Sequence, residues 1–71
     1  MNEYDLFIRE CRKRIAVRGL TQMRVCIETD SHPSYMNRVL SGETNISAKK
    51  MFALARFLDI DLGDIQREAD P

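Results

Sequence analysis

The sequence predicts an all-α domain of five short helices. Apolar residues recur at three- and four-residue intervals, glycine and proline fall between the periodic stretches, and most stretches begin at a capping residue. Tyr4, Ile8, Cys11 and Ile15 form the stripe of an amphipathic first helix, with Phe7 beside it. Gly19 ends that helix, because glycine accepts the left-handed conformation a helix C-terminus often needs. Thr21 is placed to cap a second helix over about 22–29, which buries Val25, Cys26 and the methyl of Thr29. Asp30-Ser31-His32-Pro33 breaks it. Proline is comfortable at a first helical position, so a third helix starts at Pro33 with His32 or Ser31 as its cap. Met36, Val39 and Leu40 are its inward residues and Gly42 its stop. Ser47 caps a fourth helix, whose wide apolar face takes in Met51, Phe52, Leu54, Ala55 and Leu58. Asp61 caps a short fifth helix holding Leu62 and Ile65, with Asp64 in the first turn, where the helix dipole favours negative charge.

Seventy-one residues make one domain, 1–71, with a folded surface of roughly 4,600 Å² against roughly 12,000 Å² for the unfolded chain. A core that thin cannot enclose a water-excluded cleft, and no serine, cysteine or carboxylate pairs with His32 as nucleophile and base. The expectation is therefore a protein that is not an enzyme and uses no cofactor. Two cysteines, Cys11 and Cys26, are too few for a disulfide framework, and with a single histidine they assemble no zinc site of the usual kind. No apolar run reaches membrane-spanning length, and Met1-Asn2-Glu3-Tyr4-Asp5 is acidic where a secretion signal is basic, so a cytoplasmic protein without membrane contact is expected.

Eleven basic and eleven acidic residues cancel, which argues against a generic nucleic-acid binder. Their distribution is uneven. Residues 1–20 carry Arg9, Arg12, Lys13, Arg14 and Arg18 against Glu3, Asp5 and Glu10, whereas the tail is acidic through Asp59, Asp61, Asp64, Glu68 and Asp70. Read alone, Arg12-Lys13-Arg14 is equally a solvated helix face.

The second and third helices, joined by about three residues, have helix-turn-helix proportions over about 21–41. Such a pair lets its second helix stand proud and enter a DNA major groove. The residues carry more. Leu20-Thr21-Gln22, Cys26, Ser34-Tyr35-Met36-Asn37-Arg38-Val39, Gly42, Asn45, Ser47 and Leu54-Ala55-Arg56-Phe57-Leu58-Asp59-Ile60-Asp61-Leu62 follow one another without a gap. In this order they resemble the Cro and phage-repressor (XRE-like) class of helix-turn-helix proteins, over about two-thirds of the chain. The resemblance implies a compact five-helix domain of the lambda-repressor type. It implies that Gln22 bonds a DNA phosphate and braces the third helix, with Thr21 and Tyr35 near the phosphates. Pro33, Ser34, Asn37 and Arg38 then face the bases. Arginine forks onto guanine, asparagine pairs with adenine, serine serves either base, and Pro33 meets a thymine methyl. Thr44 and Asn45, with the start of the fourth helix, match the family's second phosphate contact. The residues by themselves leave other roles open: Arg38 as partner of Glu43 or Glu28, Asn37 as a solvated residue, Gln22 as a cap, Tyr35 as packing, His32 as a cap or surface residue.

Departures from the family pattern are also informative. Asp30 stands where the turn usually has glycine, and aspartate tolerates the left-handed conformation better than most residues. Arg14 stands where the family buries an aliphatic residue, which leaves the register of the first helix open by one position. Met23 and Ile27 are apolar where the family is charged, so they read either as extra packing or as a protein-contact patch. The leading expectation is a sequence-specific regulator of phage or mobile-element type that binds double-stranded DNA as a homodimer, through a near-palindromic operator. The alternative is a modulator of the same fold that binds a partner repressor. Leu62 and Ile65 match the family's usual dimer surface, with Met23 and Ile27, or Leu40, as other choices.

Overall fold

A computed structural model describes residues 2–69 and places five helices in them: α1 (Glu3–Arg18), α2 (Gln22–Thr29), α3 (Pro33–Leu40), α4 (Ala48–Leu58) and α5 (Leu62–Ala69). Asp70, read above as part of the acidic tail, lies outside the described residues, as do Met1 and Pro71.

Each helix starts where a side chain accepts one of the backbone N–H groups that have no partner within the helix. Asn2 Oδ1 takes Asp5 N–H at 2.8 Å, Thr21 Oγ1 takes Arg24 N–H at 3.1 Å, and His32 Nδ1 takes Ser34 N–H at 3.2 Å. Ser47 Oγ takes Lys50 N–H at 3.4 Å, and Asp61 Oδ1 takes Gly63 N–H at 2.8 Å. Of the two caps open for α3, His32 fills the position.

Three helices end on a residue in the left-handed region: Gly19 at φ 64°, Asp30 at φ 50° and Asp59 at φ 57°. Each turns its own N–H and that of the next residue back onto the last helical turn, which satisfies two orphan carbonyls. Aspartate reaches this region at some cost in backbone energy, whereas glycine reaches it at none. α3 ends at Ser41, followed by Gly42 at φ 86°.

Phe7 and Cys11 from α1, Val25 from α2, Met36 and Val39 from α3, and Leu54 and Leu58 from α4 are the fully buried side chains. α1 packs on α3, α4 and α5, while α2 packs on α3 and α4. α3 is therefore held from two sides, and the rest of its circumference is open. Thr29, the one buried polar residue among those described, donates to Val25 O at 2.8 Å and so carries no orphaned hydroxyl into the core. The exposed surface is 4846 Å², close to the roughly 4,600 Å² that chain length implies. The radius of gyration is 11.4 Å, against about 11 Å for one domain of this length. No described helix is long and apolar enough to cross a membrane.

One expectation about the core needs correction. Phe52 does not belong to the core: it is 54% exposed, because the buried line of α4 runs through Leu54, Ala55 and Leu58 and leaves Phe52 at its edge. Arg14, noted as a departure on the first helix, is not a core residue. It lies half-buried on α1 and reaches the end of α4, donating to Leu58 O at 3.0 Å and Asp59 O at 2.6 Å. Arg18 adds a bond to Leu58 O at 3.2 Å and an ion pair with Asp59 at 3.2 Å. Cations at a helix C-terminus meet both the unpaired carbonyls and the negative end of the dipole. The apolar register of α1 runs through Phe7, Ile8 and Cys11, with Tyr4 and Ile15 half-buried at its edges.

Candidate nucleic-acid interface

α3 is eight residues long and has two chemically distinct sides. Met36 and Val39 are wholly buried, with Tyr35 and Leu40 half-buried beside them. Pro33, Ser34, Asn37 and Arg38 are all exposed. At 100° per residue the second pair follows the first by one turn, so the four share one face.

What each of these side chains is doing decides what it can still do. Ser34 Oγ lies 2.9 Å from His32 Nδ1, so the serine is already engaged within the cap of its own helix. The side chains of Asn37 and Arg38 have no hydrogen-bond or ion-pair partner among the described residues. The carboxylates weighed as partners of Arg38 are occupied elsewhere: Glu28 pairs with Arg24 at 3.0 Å, and Glu43 takes the Ser41 hydroxyl at 2.8 Å. A fork of donors and an amide, side by side on an exposed helix, are a matched set for base edges.

The rod carrying them is pinned at both ends. Gln22, the first residue of α2, donates from Nε2 to Pro33 O at 3.2 Å and ties the start of α2 to the start of α3. The bond braces α3, and Gln22 is not itself the cap, a role held by Thr21. At the other end, Arg38 O accepts from Glu43 N–H at 2.8 Å and Thr44 N–H at 3.3 Å, which latches the following loop to α3.

Two phenols then fix that loop. Tyr35 Oη accepts Ser47 N–H at 3.1 Å and Tyr4 Oη accepts Ile46 N–H at 2.9 Å. Tyr35 is thus a packing residue whose hydroxyl hydrogen is still available to a further acceptor. Thr44 is half-buried and Asn45 exposed.

The remaining sequence-derived contact residues divide. Met23 is 61% and Ile27 66% exposed, one turn apart on the outer side of α2. Neither packs against a neighbouring helix, so the extra-packing reading of this pair is wrong. The adjacent Arg24 pairs with Glu28 and lies 5.8 Å from the centre of the Phe57 ring, so it turns toward α4. Ile65 is only 6% exposed and belongs to the core. Its expected place on a contact surface is corrected: α5 needs that residue to hold itself onto α1. Leu62 keeps partial exposure and lines an open groove with Tyr4, Phe7 and Met51.

Four side chains make long-range contacts that the sequence did not predict. Arg14 and Arg18 clamp the end of α4, and Lys50 Nζ donates to Thr29 O at 3.4 Å and to Asp30 O, doing the same for α2. Tyr4 reaches the loop across forty residues of sequence. The basic run Arg12-Lys13-Arg14 was a visible signal, but nothing in it marks the third residue as different from the first two.

Sorting cations by engagement locates the positive charge that is free to act. Arg14, Arg18, Arg24 and Arg67 each pair with a carboxylate, and Lys50 is occupied by carbonyls. Arg9, Arg12, Lys13, Arg38, Lys49 and Arg56 have no acceptor among the described residues. Each ion pair removes one charge of each sign, so the unpaired charges still sum to zero, and what matters is where the unengaged cations stand for an external anion.

Compared with known proteins, the chain matches no family model, no curated protein and no solved structure.

Proposed function

We propose that this chain is a sequence-specific DNA-binding regulator of phage or mobile-element type that lays α3 in the major groove. The observation that carries the proposal is the pair Asn37 and Arg38. They stand exposed and unengaged on a helix whose opposite side is buried and whose ends are tied to α2 and to the next loop. Rigid presentation of unsatisfied donors is what base readout requires, because each donor must meet one edge in one register. Gln22, Thr21, Tyr35, Thr44 and Asn45 flank that face and supply phosphate contacts. One eight-residue helix covers only a few base pairs, so two copies on half-sites about one helical turn apart give the needed affinity.

A mobility shift on DNA from upstream of its own gene tests this. Arg38→Ala is expected to weaken binding to that site by about 10- to 100-fold, with little change on a random duplex. Gln22→Ala loosens the hold on α3 and weakens both. Equal binding by wild type and Arg38→Ala would remove α3 as the reading helix.

Met23 and Ile27 favour a second reading. Two large apolar side chains exposed one turn apart suit a protein surface better than a phosphate backbone. In that reading the chain docks on a partner repressor through α2. A protein that shifts no DNA but forms a stable complex with a neighbouring regulator, lost in Met23→Ser/Ile27→Ser, selects it.

A further inference from the structure

Beside the proposed reading helix lies a groove between the first half of α1 and the loop that follows α3. It is open, holds about 560 Å³, and brings Arg9, Arg12 and Asp5 of α1 opposite Gly42 and Asn45 of the loop. Arg9 and Arg12 are three residues apart, so their side chains lie on neighbouring positions of one helix face. Both are exposed and neither has an acceptor among the described residues. Across from them, Gly42 presents no side chain, and a Cβ built there would meet nothing within 4 Å. The space beside Gly42 is open, and Asn2, Tyr4, Ile8 and Asn45 complete the lining, so Asp5 is the one carboxylate in it.

Two unengaged guanidinium groups lining one open groove make a receptor for a small anion with several acceptor oxygens. Asp5 lowers the charge of the groove and leaves it net positive. The loop forming the far wall is the one latched to Arg38 O, so the groove keeps a fixed position relative to Asn37 and Arg38. The geometry points to this groove as a backbone-phosphate site on duplex DNA, formed by Arg9 and Arg12 with Asn45, which extends the footprint of α3 along one strand. It rests on the proposal that α3 reads DNA, and adds an anchor outside the helix-turn-helix. Arginines unengaged at a groove that adjoins α3's loop give a chain of zero net charge a local place to hold a polyanion.

The test is the salt dependence of binding to a random 20-base-pair duplex, read by fluorescence anisotropy across a potassium chloride series. Each phosphate contact contributes about 0.9 to the slope of log affinity against log salt. Arg9→Gln/Arg12→Gln is expected to flatten the slope by about 1.8, so that a rise from 50 to 200 mM salt weakens wild type about 12-fold more than the variant. Arg56→Gln/Arg67→Gln removes the same charge outside the groove and should leave the slope near wild type. Asp5→Asn should tighten binding. A slope for Arg9→Gln/Arg12→Gln equal to that of the charge-matched control overturns the site. The two proposals separate through Asn37→Ala/Arg38→Ala on a selected site. If those variants lose discrimination while the groove variant keeps its slope, α3 reads DNA and the groove is not an anchor. If the groove variant flattens the slope and the α3 variants change nothing, the groove stands as a phosphate site and α3 is not the reader. A wild-type chain that binds no duplex at low salt removes both.

Discussion

At Asp30 and at Asp59 the chain leaves a helix by the same route. An aspartate takes the left-handed region, its N–H turns back onto the third residue before it at 3.3 Å, and the next N–H turns back at 2.9 Å, with the same values in both places. What surrounds the two turns differs. After Asp59 comes Ile60, 8% exposed and part of the core, and the carbonyl end of α4 is gripped by Arg14 and Arg18 while Asp59 itself pairs with Arg18. After Asp30 comes Ser31, half-buried, whose hydroxyl donates to Thr29 O. One lysine, Lys50, serves the carbonyls, and the Asp30 carboxylate has no ion-pair partner among the described residues. The same backbone device thus serves as a locked joint inside the fold and as a lightly held joint ahead of α3. The local sequence makes the turn. Long-range side chains decide how firmly it is held.

The largest expected effect reaches the locked joint through the helix that anchors it. Cys11 is fully buried in α1, three residues before Arg14. Desolvation, with the neighbouring Glu10, pushes its thiol up from 9.0 to about 12, against a smaller lowering by Arg14. An acid whose folded pKa lies above its unfolded value gives full stability below the unfolded value and loses it as pH climbs toward the folded one. Stability should hold to about pH 9 and then fall by up to about 1.4 kcal/mol per pH unit. Cys11→Ala, less stable at neutral pH, should show a shallower alkaline decline in urea titrations between pH 9 and 11. Parallel declines in the two proteins would assign the alkaline loss to other groups.

Next in size is a direct contrast of the clamps. Arg14→Ala leaves the Leu58 and Asp59 carbonyls without their charged donor and should lower stability by about 2 kcal/mol, whereas Lys50→Ala should cost about 1 kcal/mol. Equal urea midpoints for the two would erase the distinction between the joints. The smallest effect comes from the aspartates themselves. Asp30→Gly relieves the left-handed strain with no ion pair to lose and should gain about 0.5–1 kcal/mol. Asp59→Gly gives up its pairing with Arg18 for the same relief and should be close to neutral. Asp30→Gly should also tighten DNA binding in the mobility assay, because it removes a negative charge from the turn before α3.

Much of the fold was legible because its boundaries are set by nearest neighbours. The cap at Thr21, the stop at Gly42 and the start at Pro33 depend on residues within a turn of each other, and α2 and α3 begin and end where those signals stand. Burial was legible where an apolar stripe is narrow, as on α2 and α3. It failed where the stripe is wide. The apolar arc of α4 exceeds the angle its neighbours cover, so one edge, Phe52, is left out. α5 is so short that Ile65 must be core to hold it at all, whatever surface the resemblance suggests. The role of Arg14 was hidden for a different reason. Its partners lie forty-four and forty-five residues away, and no pattern within α1 announces them. The proposed reading face lay between these cases. Its four residues were named by the resemblance, but the vacancy of Asn37 and Arg38 depends on where Glu28 and Glu43 turn.

The loop between α3 and α4 has one more consequence. Its amides at Ile46 and Ser47 are bonded to Tyr4 and Tyr35 rather than to a helix. In deuterated water these two positions should exchange slowly, at rates that report on the seating of α1 and α3, while the amide of exposed Asn45 between the same helices exchanges quickly. A stretch without regular structure would then carry a built-in gauge of whether the first and third helices are docked.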